Sequence, residues 1–505
     1  MLANSKFKKI SIYFYRDWMN FQRINTGMLQ LKVYQQWRCF MAFIQSFGAA
    51  ETVTGSCHLL QLKNGPNILI DCGYFQGRSE EQTFEPFGFD PKKVDILLIT
   101  HAHLDHVGRI PKLVKEGFDG KVIASRATMD LAEVILMDSA KIAEEDYKIA
   151  FKKAKRSGNE KQVRPLIYST DDAKAVFDLT IQYAQYNKSI QLTPGVKTTF
   201  RNAGHILGSA TVQIEFEEVG ISKSVVFSGD LGSRRDLIMP APSFAKQADA
   251  LYIESTYGDR NHRGLKETVN EFKETIIKTL NNKGNVLIPS FAIERTQEIL
   301  LLLKKMYYDK ELPKCQVFLD SPMAMRATQI YTRYHSELNE PAKKLLERDG
   351  TIFDFPYLQY SLKNQDSMLI NNIESGCIII AGSGMCTGGR ILQHFKHRLW
   401  DARNSVIFVG YQVQGTLGRK MIDGAESIQL YHEDIKINAQ IHMINGFSAH
   451  ADQSDLLAWI SEFEKLDKVF LIHGEPDKQA IFKQVIEDQL HKPTHIVKYA
   501  EKIYI

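Results

Sequence analysis

The sequence predicts a layered α/β protein built in two parts, and three observations carry that expectation. At 505 residues the chain is too long for one ordinary hydrophobic core. From Met41 to about residue 230, short apolar runs recur between Gly and Asp turns, and after Tyr257 a second alternation of strand-like and helix-like segments begins. Two domains, or one domain carrying a large insertion, would account for both.

Residues 1–40 mix aromatic and charged residues with no uninterrupted apolar run, which makes a poor signal peptide. They are expected to be an appendage, with Met41 a candidate start. The runs His58–Leu62, Asn67–Ile70, Val94–Ile99, Thr211–Phe216 and Ser224–Phe227 are rich in Val, Ile and Leu and predict strands, several covered on both faces. Helical spacing over Met129–Phe151 ends in a basic stretch, Lys148–Arg164, which suits a solvated helix face or a phosphate-facing rim. In the second part, Asn285–Ser290, Gln316–Leu319, Cys377–Ala381 and Ser405–Val409 predict strands and Ala292–Met306 a helix. Loops following alternate strands and helices are where such folds build ligand crevices.

Composition narrows the function. No apolar stretch reaches the roughly 18–20 residues that cross a bilayer, so a membrane role is excluded. A formal charge of +4 does not announce a nucleic-acid binder, so any polyanion must meet a local positive field. The six cysteines form no CxxC pair and lie in apolar or Gly-rich surroundings. That is the usage of reduced thiols, and it places the chain in the cytoplasm.

The chemistry concentrates in Thr100-His101-Ala102-His103-Leu104-Asp105-His106, directly after a predicted strand. His101 and His103, at i and i+2, point the same way in extended chain, while Asp105 and His106 fall on the turn into a helix. One metal could take the first pair and a second metal the other. Imidazole nitrogen and carboxylate oxygen suit zinc.

This run resembles the second motif of the metallo-β-lactamase superfamily, and other motifs follow in order: Asp71 in Leu69–Gly73, His205 in Gly204–Ser209 and Asp230 in Phe227–Gly232. The resemblance narrows to the β-CASP nucleases through Glu254 in Tyr252–Gly258, His450 in Phe447–Asp452 and His473 in Phe470–Glu475. It implies an αββα sandwich over 41–257 and 442–505, with an α/β domain inserted at 258–441. It also implies two zinc ions per chain: His101, His103 and His205 on one, Asp105, His106 and His473 on the other, Asp230 bridging, and Asp71 orienting a ligand or water. A metal-bridged hydroxide would attack phosphorus, with His450, held by Glu254, as general acid, leaving 5′-phosphate and 3′-hydroxyl ends.

For substrate the resemblance implies single-stranded RNA, because His473 completes the motif set of the RNA-cleaving relatives. A homodimer is left open. Two Gly-rich loops would clamp the strand through Ser383, Gly384 and Met385 and through Gln414, Gly415, Thr416 and Arg419, where backbone amides can approach a phosphate. Arg295 and Arg390 are placed on the backbone of the substrate, against the alternative of intramolecular pairing with a neighbour such as Glu294 or Glu298. His394 and His397 are expected at the surface. The competing readings are a DNA nuclease of the same family, a small-molecule hydrolase of the lactamase fold, and a catalytically silent processing scaffold.

Overall fold

The computed structural model describes residues 41–505 apart from 219, 411 and 445, so the expected appendage lies outside the described residues. The apolar runs become strands. β1 (Phe43–Ser46), β2 (His58–Gln61), β3 (Asn67–Ile70), β4 (Ile96–Leu98), β5 (Lys121–Ser125) and β6 (Ile181–Ala184) lie side by side in that order. Pairing is antiparallel up to β3 and parallel from β3 onward, where helices carry the chain back across the sheet. β7 (Ser189–Thr193), β8 (Val196–Asn202), β9 (Ala210–Glu218), β10 (Ile221–Phe227) and β11 (Gln247–Glu254) build most of a second sheet.

The chain then leaves the sandwich. β12 (Val286–Pro289), β13 (Gln316–Asp320), β14 (Leu358–Tyr360), β15 (Cys377–Ala381) and β16 (Ser405–Phe408) form a parallel sheet in the order β14-β13-β15-β12-β16. After a hairpin of β17 (Ser427–Leu430) and β18 (Glu433–Lys436), β19 (Gln440–Met443) closes that sheet beside β16. β20 (Lys465–Ile472) and β21 (Thr494–Ile496) return beside β11, and β22 (Ile503–Tyr504) pairs with β1. Both sheets of the sandwich therefore depend on chain from either side of the excursion.

Side-chain alternation explains the layers. Ile68, Ile70 and Leu98 share a core with Phe200, Val212, Phe227 and Tyr252 between the two sheets, whereas Leu69 and Leu97 join the helices outside. On the far face, Leu251, Ile253 and Leu471 pack against Leu456, Trp459 and Phe482 of helices Gln453–Ser461 and Pro476–Leu490. The result is helix, sheet, sheet, helix.

The long helix runs Arg126–Ser157, beyond the expected 129–151, because Ser125 caps its start and Gly158, at φ 70°, ends it. Its basic end is solvated. Helix Arg295–Tyr308 begins three residues later than expected: Glu294 adopts φ 67°, ψ −64°, and Arg295 N bonds Ile293 O at 2.9 Å, a tight turn that helix geometry does not allow. The cysteines among the described residues are buried and unpaired. Among these residues no helix is long and apolar enough to cross a membrane.

Two glycines let the loops at the sheet ends cross closely. A Cβ at Gly73 would lie 1.6 Å from Asp105 O, and one at Gly232 would lie 1.7 Å from Gly204 O. Gly73→Ala or Gly232→Ala should therefore destabilise the fold by about 3 kcal/mol or more, since backbone has to move. Gly388→Ala, with nothing within 4 Å of the added carbon, should stay within about 0.5 kcal/mol. Urea unfolding of the three variants checks this; equal midpoints would show that the loops yield freely.

Candidate metal centre

Most of the expected site residues lie at or just beyond strand ends on one rim of the sandwich. Asp71 follows β3, the histidine run follows β4, His205 sits between β8 and β9, Asp230 follows β10, Glu254 ends β11 and His473 follows β20. His450 comes from the loop between β19 and helix Gln453–Ser461. His101 and His103 precede the one-turn helix Leu104–Val107, and Asp105 and His106 lie within it, so one short segment supplies donors in two directions.

Those donors gather into two sets. His101 Nε2 stands 3.2 Å from His103 Nδ1, which stands 3.1 Å from His205 Nε2. His106 Nε2 is 3.4 Å from His473 Nε2, itself 3.4 Å from Asp105 Oδ2. Asp230 lies between the sets. Its Oδ2 is 3.4 Å from His101 Nε2 and 3.6 Å from His205 Nε2, while its Oδ1 is 3.4 Å from His106 Nε2. Asp230 is 2% exposed, and Oδ1 is buried with no hydrogen-bond partner. A buried carboxylate oxygen facing imidazoles from both sets fits a cation on either side of it.

Protonation agrees with ligation. Burial lowers the pKa of His101, of His103 (to about 3) and of His205, keeping these rings in the neutral form a metal needs. Burial also opposes charge on His106, but Asp230 and Asp71 outweigh it and raise its pKa, so a metal there would displace a proton. Asp230 is itself held far below the usual carboxylate range: burial works against its ionisation, and His473, His106 and His101 overcome that cost.

A further ring of residues fixes the imidazoles. Asp71 Oδ2 is 2.7 Å from His106 Nδ1, and the same carboxylate accepts from Thr100 N and Thr100 Oγ1, both at 2.8 Å. His205 Nδ1 reaches Ala449 O at 3.0 Å, and His473 Nδ1 reaches Thr256 Oγ1 at 3.1 Å. The carboxylate and the carbonyl accept from Nδ1–H of His106 and His205 and so leave Nε2 for a metal, while Thr256 Oγ1 steadies the His473 ring. Thr100 and Thr256 were missed in the sequence, although a hydroxyl flanking a ligand motif is a usable signal. Behind Asp71, Ser56 and the buried His58 continue the network to Ser46.

Beside the first set, His450 Nδ1 contacts both oxygens of the fully buried Glu254, at 3.0 and 3.2 Å, and Leu231 N donates to Glu254 Oε1 at 2.7 Å. Burial disfavours charge on His450, yet Glu254 raises its pKa to about 9. The ring centroids of His450 and His205 are 4.6 Å apart.

The expected clamp divides. Ser383–Met385 and Gln412–Gly418 are tied together, Gln412 Nε2 donating to Gly384 O at 2.9 Å and Gly418 N to Met385 O at 3.2 Å. Gln414 and Gly415 are exposed, whereas Thr416 caps helix Leu417–Ile422 and Arg419 pairs with Asp423 at 2.9 Å. The two other cations need correction. Arg295 is 5% exposed and bonded to Glu298, with Asp236 and Glu294 close by, because the turn at Glu294 aims the helix start inward. Arg390 holds Asp320 Oδ1 and Ser361 O, each at 2.7 Å, inside the second domain. His394, expected at the surface, is fully buried with Nε2 2.7 Å from Asp320 Oδ2; His397 is exposed.

The inserted domain also reaches the loop that carries His205. Leu207 N, two residues past His205, donates to Tyr331 Oη at 3.1 Å, and Tyr331 Oη donates to Glu294. No local pattern in the sequence marks this pair.

The sandwich and its clustered donors define a metal-dependent hydrolase. The metallo-β-lactamase superfamily model matches residues 51–180, the Beta-Casp domain 296–421, and a Zn-dependent metallo-hydrolase RNA specificity domain 434–497. The chain belongs to the β-CASP family of that superfamily. A protein named as a ribonuclease from Thermus thermophilus is 41% identical over 86% of this chain and 94% of its own length. The transcription termination factor FttA of Methanocaldococcus jannaschii is 33% identical over 90% of this chain and 70% of its own. An RNase J-like protein of the same organism is 31% identical over 90% and 98%. The fold is shared with a solved protein of unknown function from Enterococcus faecalis, with a TM-score of 0.50, 12% identity, and 92% of this chain and 100% of that one covered.

Asp71→Asn preserves shape but removes the charge facing His106 Nδ1. Metal affinity should fall about 10- to 100-fold, as for other residues that orient a ligand. Competition with a chromogenic chelator measures it; unchanged affinity would make Asp71 a purely structural anchor for Thr100.

Proposed function

We propose that this protein is a zinc-dependent ribonuclease that hydrolyses single-stranded RNA and leaves 5′-phosphate and 3′-hydroxyl ends. The observation that carries the reading is the juxtaposition of His450, held by Glu254, with two donor sets that share Asp230. A small-molecule hydrolase would need neither that extra acid nor a second domain forming one wall of a cleft. Tyr257 and Ser448 of the sandwich part line one cleft together with His262, Gly410, Gln412 and Arg419 of the inserted part. Ribonuclease names among the relatives support RNA, as does the RNA specificity match over 434–497.

The donor spacing supports zinc. With bonds of about 2.0–2.1 Å, neighbouring ligands of a tetrahedral zinc lie about 3.3 Å apart. Here contacts within the sets and to Asp230 run from 3.1 to 3.6 Å. His101, His103 and His205 would hold one ion, Asp105, His106 and His473 the other, and Asp230 both. Two zinc ions would supply a water of lowered pKa and stabilise charge on the phosphoryl oxygens.

The protein's own residues do the rest. Asp71, Thr100, Thr256 and the Ala449 carbonyl hold the imidazoles in register before substrate arrives. Glu254 accepts from His450 Nδ1, which leaves the Nε2 proton for the departing 3′-oxygen. The loops at Ser383–Met385 and Gln414–Arg419 offer backbone amides and side-chain donors to neighbouring phosphates.

Purified protein should contain about two zinc ions per chain, and Asp230→Ala should lose both. Elemental analysis showing one full site in that variant would exclude the shared ligand. Initial rates on matched single-stranded RNA, single-stranded DNA and duplex at one salt concentration test the substrate; DNA cut as fast as RNA would favour a DNA nuclease.

His450→Ala should slow cleavage about 100-fold or more with metal content intact. Because the pKa of His450 is raised to about 9, its acid form persists below that pH and is lost above it. Activity should therefore decline as pH rises through about 9, and Glu254→Gln should move the decline down toward about 6.5, the ordinary histidine value. The pH profiles of kcat decide the matter; coincident alkaline limbs would remove His450 from the role of acid.

A further inference from the structure

The inserted sheet has a crevice of its own. Helix 295–308, after β12, packs Ile299, Leu300 and Leu303 on one face of the sheet, whereas helix Ile391–Arg398, after the adjacent β15, packs Ile391 and Phe395 on the other. Neighbouring parallel strands whose connections leave on opposite faces open a crevice at their carboxyl ends, where open sheets of this kind receive ligands. Phe291, two residues past β12, stands there.

Its ring lies on backbone. A Cβ added to Gly384, past β15, would meet Phe291 Cδ2 at 2.6 Å, and one added to Gly410, past β16, would meet Cε2 at 3.5 Å. Both glycines leave room for the ring, which nevertheless remains 36% exposed. Its main chain is pinned: Phe291 O accepts from Thr296 Oγ1 at 2.6 Å and Ser290 Oγ at 3.2 Å, and Ser290 N donates to Ala381 O at 3.0 Å. A rigidly presented, part-exposed aromatic ring is thus set among polar loops. Gly410, beneath the ring, also lines the cleft that His262 lines, and His262 Nε2 lies 3.0 Å from His450 O.

We infer that Phe291 is a stacking platform for a nucleobase of the substrate, in the crevice where the adjoining loop Ser383–Met385 can take that nucleotide's phosphate. The inference rests on the single-stranded substrate proposed above. Every base has a π-face, so an aromatic ring grips a strand without choosing its sequence. A duplex keeps its bases stacked on one another and presents none to such a ring.

The test uses the full chain and a single-stranded 2′-O-methyl oligonucleotide, shown by gel to be intact after each titration, with binding followed by fluorescence anisotropy. Phe291→Ala and Phe291→Leu should each weaken binding about 5- to 100-fold, since leucine keeps the apolar bulk but not the ring. Phe291→Trp should retain affinity, with its added emission quenched as the oligonucleotide binds. An abasic strand of equal phosphate count should bind the wild type and Phe291→Ala alike. Wild-type affinity in Phe291→Leu, or an equal loss on the abasic strand, would make the ring a mere support for the glycine loops. If the wild type binds the abasic strand as tightly as the intact one, base stacking is excluded whatever the enzyme cleaves. If it binds neither, the single-stranded substrate itself fails and takes the platform with it.

Discussion

The burial of Asp230 among imidazoles is the constraint on which the rest of this structure depends. An ionised carboxylate sealed from water is very costly unless positive charge answers it on both oxygens. His101 and His205 face one oxygen and His106 the other, while burial keeps most of those rings neutral. His106, charged between Asp230 and Asp71, answers part of that cost, and the neutral nitrogens of His101 and His205 beside the same carboxylate suit a dication. Placing these donors requires the ends of β4, β8, β10 and β20 to converge, and Gly73 and Gly232 permit backbone to pass backbone there at distances no side chain would allow.

That convergence also explains the chain's route. β20, which delivers His473, is hydrogen-bonded along β11, which delivers Glu254, yet more than two hundred residues separate them in sequence. The sandwich closes only after the excursion has been made, and the second domain is fastened to the first near the metal donors. Tyr331 bonds the loop that carries His205, and Arg333 and Tyr334 bond Asp130 on the long helix, at 3.0 and 2.8 Å. The inserted domain is thus held against the sandwich at the long helix and, through Leu207, within two residues of His205.

Much of this was legible in the sequence because the chemistry is written in short motifs at strand ends, where a single run such as Thr100–His106 reveals both residue type and direction. A layered α/β architecture was legible in the recurring apolar runs, and the αββα arrangement came with the family resemblance that the motifs carry. What was not legible is what depends on turns and on long-range pairing. Arg295 reads as a cation at the mouth of a loop, and only the strained turn at Glu294 sends it inward to Glu298. His394 reads as a surface group and Arg390 as a cation for the substrate backbone, yet Asp320, some seventy residues earlier, bonds both inside the second domain. Phe291 carried no motif, and its setting depends on two glycines from two other strands.

The correction of those cations changes how a polyanion would be held. Around the cleft, Arg260 pairs with Asp259, Arg263 with Glu271 and Arg419 with Asp423. Exposed pairs of this kind are worth only about 0–1 kcal/mol, so exchanging a carboxylate for a phosphate costs little, but little is gained in long-range attraction either. With a net charge of +4 spread over 505 residues, the protein would draw a strand weakly from a distance. Affinity in the proposed reaction must then arise at contact, from the metal centre, the backbone amides of the glycine loops and stacking, all of which ask the strand to bend and unstack into the cleft. A flexible single strand can meet that demand, and a stiff duplex meets it only by first coming apart.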